Sequence, residues 1–133
     1  MRSRSDWPDV AAMTDRPSGF AVEPAPLSGA PGVLVRGEVD MATAAELSAA
    51  LDAAIRDTPG AFVVDLSETA FLDSSGLNAL LRARAVLGRA DRALVIVCPP
   101  GPARRVFELA GIVDLLAPFD TRRQAAASLQ PAG

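Results

Sequence analysis

The sequence predicts an α/β domain: a small mixed β-sheet of about four to five strands with helices mainly on one face. Three observations predict it. Apolar, β-branched runs occupy residues 33–39, 61–66 and 93–98. The stretches that follow the first two space their apolar residues three and four apart, as a helix requires. Proline and glycine punctuate the junctions, at Pro59-Gly60 and at Pro99-Pro100-Gly101-Pro102. Strands alternating with helices imply parallel pairs joined by right-handed crossovers, and a hairpin at the front makes the sheet mixed. At 133 residues and 50% hydrophobic content, the chain is long enough for one core and short for two.

Residues 1–18 mix Arg, Asp, Ser and Pro without a period, and Trp7 is their one large aromatic side chain. They read as a flexible extension before a folded domain at 19–130, with Met13 as an alternative start. Residues 20–27 carry a weak alternation interrupted by Pro24 and Pro26, which suits an edge strand because proline cannot donate into a ladder. Residues 29–32 make a turn, and 33–39 form its hairpin partner. Thr43-Ala44-Ala45-Glu46 has the form of a capping box, opening a helix whose Leu47, Ala50, Leu51, Ala54 and Ile55 share one face. Residues 61–66 are a continuous apolar run, the pattern of an inner strand covered on both sides. A second helix follows Asp73, with Leu77, Leu80, Leu81 and Leu87 as its core stripe and Arg82 and Arg89 outward. Residues 93–98 make another inner strand, and a helix at 103–110 stops at Gly111. Residues 112–119 suit a short last strand, and Thr121 can cap a final helix through Leu129.

Composition closes many chemistries. The net charge of −3 gives no electrostatic footprint for nucleic acid or an anionic membrane. All 13 basic residues are arginine and histidine is absent. There is thus no lysine nucleophile, no phosphate-loop lysine, no Ser-His-Asp triad and no histidine metal site. The one cysteine, Cys98, ends an apolar strand, where a buried thiol is the expectation. No run approaches the length of a membrane span, and the N-terminus lacks the apolar core of a signal peptide, so a cytoplasmic protein is expected.

The informative segment is Asp73-Ser74-Ser75-Gly76, a junction between a strand and an amphipathic helix. Asp73 and Ser75 suit the first helical turn as caps, where unpaired N–H groups and partial positive charge collect. Two hydroxyls beside one aspartate exceed what capping needs, and a hydroxyl there can accept a phosphate. Glu38-Val39-Asp40 also leaves a strand for a helix, so both loops should lie at one end of the domain. Asp40 either caps the approach to its helix or meets a partner. Gly76 serves either the close approach of a partner or a local backbone need.

On Gly37-Glu38-Val39-Asp40, Phe71-Leu72-Asp73-Ser74-Ser75-Gly76-Leu77 and Val106-Phe107-Glu108-Leu109-Ala110-Gly111, the chain resembles a STAS domain. It is more closely similar to a stand-alone anti-sigma factor antagonist. The resemblance implies a non-enzymatic regulator of transcription, switched by exchange of partners. An anti-sigma factor that is also a serine kinase would phosphorylate Ser74, and a separate serine phosphatase would reset it. Asp40, Asp73, Ser75 and Gly76 would meet that kinase. The resemblance implies no cofactor on this chain; ATP would belong to the partner kinase. A second reading is a non-switching STAS subunit of a transport or lipid-trafficking complex. An aspartyl-phosphate receiver is disfavoured, because it usually needs a lysine beside an acidic metal pocket.

Overall fold

The computed structural model describes residues 19–130, so the expected extension at 1–18 and the alternative start at Met13 lie outside the described residues. β1 (Ala21–Pro24) runs antiparallel to β2 (Gly32–Val39), with Ala21 opposite Arg36 and Pro24 opposite Val33, as the hairpin pattern predicts. The chain continues through α1 (Ala44–Arg56), β3 (Phe62–Asp65), β4 (Thr69–Leu72), α2 (Ser74–Arg89) and β5 (Leu94–Val97). It closes with α3 (Pro102–Leu109), α4 (Val113–Leu116) and α5 (Arg122–Ser128). The sheet order is β1-β2-β3-β5, and the parallel β2–β3 and β3–β5 pairs make it mixed.

β2 is long enough to serve two neighbours on one side. Its first half pairs with β3, from Gly32 opposite Val63 to Leu34 opposite Asp65. Its second half pairs with β4, through Glu38 opposite Phe71 and Val39 opposite Leu72, after a register shift at Gly37 and Glu38. β4 was not expected as a strand of its own. The buried Thr69 anchors its start by donating its hydroxyl to the Val35 carbonyl at 2.8 Å.

The main core lies on the face covered by α1 and α2. Leu47, Leu51 and Ile55 of α1 and Leu77, Leu80 and Leu87 of α2 are buried there with Val35, Phe62, Val64 and Ile96. A smaller cluster covers the other face: Val63, Val95 and Val97 are buried with Ala125 of α5. This explains the unbroken apolar runs of β3 and β5, which have packed neighbours above and below. Helices are thus mainly, but not wholly, on one side.

Two expectations need correction. β5 is at the sheet edge rather than inside it; its apolar sequence reflects two covered faces, not two paired edges. The segment at 112–119 is no strand, since residues 113–116 form α4. Of this segment Phe119 alone is bridged to the sheet, its N–H donating to Ile96 O and its carbonyl accepting from Cys98 N, both at 2.8 Å, which partly closes the β5 edge. Thr121 caps α5 as predicted, its hydroxyl accepting from Gln124 N at 3.1 Å.

Arginines serve as struts. Arg92 donates to Gly60 O, Ile55 O and Thr58 Oγ1, tying down the end of α1. Arg122 forks between the Asp65 carboxylate at 2.7 Å and Pro26 O at 3.2 Å, joining α5 to β3 and to the segment after β1. The Asp65 side chain is only 2% exposed, so Arg122→Ala leaves a buried carboxylate without its cation. A loss of about 3 kcal/mol is expected in urea unfolding, since stranding a buried charge is far worse than losing a surface pair.

Cys98 is buried as expected, and burial pushes its thiol up to about 11 from 9.0, with Arg104 pulling weakly the other way. In the unfolded chain the thiol ionises near its ordinary value, so folding holds an extra proton between pH 9 and 11. Stability from this group is full below about pH 9 and lost as pH rises through 11, by roughly 3 kcal/mol. The sequence has no tyrosine and no lysine, so no other side chain titrates across that window. Alkaline unfolding curves of the parent should therefore slope downward, and those of Cys98→Ala should be flat.

Candidate functional site

The shared β2 strand places the two loops of interest side by side. Val39 and Leu72 are register partners, and where the strands end Asp73 N–H donates to Val39 O at 3.0 Å. The loops leaving β2 and β4 thus lie at the same end of the domain, as the sequence predicts.

The Asp40 loop is held by its own side chains. Asp40 Oδ1 accepts from the N–H groups of Ala42 at 2.9 Å and Thr43 at 3.1 Å. The Thr43 hydroxyl, on a residue only 3% exposed, accepts from Asp40 N and donates to Glu38 O, both at 3.0 Å. Thr43 therefore does not cap α1, against the expected capping box: its backbone is already helical and its hydroxyl turns back toward β2. Asp40 instead closes the turn that leads into α1, its carboxylate accepting from Ala42 N and Thr43 N ahead of the helix rather than from the amides of its first turn. Asp40→Ala is expected to lower stability by about 1 to 2 kcal/mol, read from the thermal midpoint, with Asp40→Asn close to the parent.

Asp73 occupies the equivalent place before α2. Its extended backbone lets Oδ1 accept from Ser75 N at 2.8 Å and Gly76 N at 3.2 Å, while its carbonyl accepts from Leu77 N at 3.0 Å. Ser74 is the first residue of the helix and is exposed, and its hydroxyl has no hydrogen-bond partner among the described residues. Ser75 is half-buried beside it.

Gly76 points the other way. It is buried, and a Cβ there would press on Leu72 Cδ1 and lie 2.8 Å from Val39 Cγ1. The room that glycine leaves is filled by the domain's own core, so of the two needs weighed for it the internal one has a visible cause. Ser74, Asp73, Ser75 and Asp40 are brought to one end; Gly76 lies beneath them.

Sequence reasoning missed three parts of this end. Thr43 is a buried tie, for which the signal was an aspartate three residues before a threonine. Met41 is 82% exposed and Phe71 43% exposed, although an apolar residue read from sequence is normally placed inside. Segments 37–43 and 69–78 carry Glu38, Asp40 and Asp73 and no arginine, so these two segments are acidic. Among the described residues no group of three His, Cys, Asp or Glu side chains could hold a metal ion, and no helix is long and apolar enough to cross a membrane.

Comparison with known proteins gives concordant results. The family model described as Mlab, STAS domain matches residues 26–117. The anti-sigma-F factor antagonist RsfB of Mycobacterium tuberculosis is 31% identical over 109 residues, covering 82% of this chain and 88% of that protein. An anti-sigma-B factor antagonist of Staphylococcus aureus is 31% identical over 84 residues, 63% of this chain and 78% of that one. The crystal structure of an anti-sigma factor antagonist from Mycobacterium paratuberculosis matches with a TM-score of 0.79 at 30% identity, covering 87% of this chain and 98% of that chain. These are names of regulatory binding proteins, not of enzymes.

Proposed function

The chain belongs to the STAS domain family, and from that footing we propose that it acts as a cytoplasmic anti-sigma factor antagonist switched by phosphorylation of Ser74. Unphosphorylated, it binds an anti-sigma factor that is also an ATP-dependent serine kinase, and the sigma factor is released. Phosphorylated, it lets the anti-sigma factor go, until a serine phosphatase removes the ester. The observation that carries this reading is the Ser74 hydroxyl: exposed, unbonded among the described residues, and fixed in place by the Asp73 cap beside it.

The chemistry needs little from this chain. Ser74 Oγ attacks the terminal phosphorus of ATP, the bond to the β-phosphate oxygen breaks, and ADP leaves while the hydroxyl proton passes to a base on the kinase. The product places about −1.5 to −2 charge at pH 7 opposite the nucleotide that donated it. Asp73 adds like charge next to the ester. The Ser75 and Gly76 amides are already bonded to Asp73, so the domain has few free donors to offset the new charge. Repulsion and desolvation then fall on the interface rather than on the fold.

Intact-mass measurement after incubation with the purified kinase and ATP tests the reading. One phosphate on the parent and none on Ser74→Ala is the expected result. Equal uptake by Ser74→Ala, or no uptake by the parent, would remove the assignment.

A further inference from the structure

Among the described residues four large apolar side chains are exposed, Met41, Phe71, Leu109 and Leu115, and two of them lie on the segments that carry Asp40 and Asp73. Met41 follows Asp40 directly, and Phe71 stands two residues before Asp73. The two segments are joined by the β2–β4 pairing and by the bond from Asp73 N to Val39 O. Phe71 is register partner to Glu38, whereas its neighbour Leu72 is fully buried. A strand that turns its leucine inward and leaves part of an aromatic ring at the surface, beside a loop that leaves a methionine in water, offers two adhesive side chains to a partner.

We propose that Met41 and Phe71 are apolar anchors for the same protein partner that engages Ser74, a kinase surface offering an apolar pocket next to its nucleotide. The inference rests on the reading of Ser74 given above and adds how the partner holds on. Their place favours this occupant over a second copy of the chain. They lie on the two segments that lead to Asp40 and Asp73, at the end of the domain where Ser74 must be reached, and a central apolar anchor ringed by polar groups is the usual form of a binding hot spot. Glu38, Asp40 and Asp73 around them suit a partner that carries cations at the rim, where charge sets orientation more than affinity.

The experiment uses the full chain and the purified ATP-binding anti-sigma factor in its ADP form, with affinity read by calorimetry. Met41→Asp should bind about tenfold more weakly than the parent, and Met41→Asp with Phe71→Ala about a hundredfold, as loss of hot-spot contacts does. Met41 is 82% exposed, so its single variant should keep the parent's thermal midpoint and remain interpretable even if the Phe71 change disturbs β4. Affinity within twofold of the parent for Met41→Asp overturns the inference while Ser74 phosphorylation persists. A concentration-dependent dimer of the parent that Met41→Asp dissolves also overturns it, by assigning the patch to self-association. Failure of the parent to bind or to accept phosphate would instead strike the reading of Ser74.

Discussion

Ser74→Glu is expected to keep its fold and lose its partner. A carboxylate at this first helical position mimics part of the charge of the ester, and the first turn of a helix tolerates it, with a contribution of about 0.3 to 1 kcal/mol. The thermal midpoint should therefore stay within about 2 °C of the parent. At the proposed interface the same charge would be desolvated against a nucleotide and beside Asp73, with Ser75 N and Gly76 N already engaged. An unpaired buried charge costs several kcal/mol, so affinity for the anti-sigma factor should fall at least about a hundredfold. Calorimetric titration with a parallel melting curve separates the two effects. Lost binding together with a collapsed midpoint would assign Ser74 a structural role.

Gly76→Val is expected to show the opposite pattern, with the fold failing first. Val39 and Leu72 are both fully buried, and already a single Cβ at position 76 would stand 2.8 Å from Val39 Cγ1 and 3.1 Å from Leu72 Cγ. Neither neighbour can swing into solvent, and two further methyl groups on a β-branched side chain deepen the clash. Overpacking of this kind costs about 1 to 3 kcal/mol or more, well above the roughly 1 kcal/mol that glycine removal returns to a helix. Gly76→Ala should sit between parent and valine, where the helical gain partly offsets the crowding. Urea midpoints of the three proteins should fall in that order. Because Val39 and Leu72 close β2 and β4, the damage should spread to both loops.

The order of strands and helices was legible because its signals are local. The apolar run of β3, the leucine spacing of α2 and the threonine at 121 each carry their own physical cause. β4 was hidden for a physical reason: Thr69 and Leu72 are buried while Ala70 and Phe71 are exposed, so a four-residue strand beside a bulge shows no alternation. The position of β5 could not be read, since a strand covered on two faces and one paired on two edges share the same valines and isoleucines. Residues 112–119 are rich in strand-compatible side chains, but Gly111 with φ of 72° and the left-handed Ala117 bracket a single helical turn. At the candidate site the Asp73 and Ser74 positions were visible in the motif. The roles of Asp40 and Thr43 before α1 were not, because either side chain suits a cap, and only the geometry shows both tying the preceding turn instead.

The double engagement of Asp73 bears on how long a signal can last. A latch needs something that closes over the mark once it is made, and here the amides of Ser75 and Gly76 are occupied beforehand. On the proposed reading, a mark written on Ser74 would stand in open water with neither of those amides to hold it. Its lifetime would then belong to the enzymes that write and erase it, and the domain would work as a slate rather than a memory.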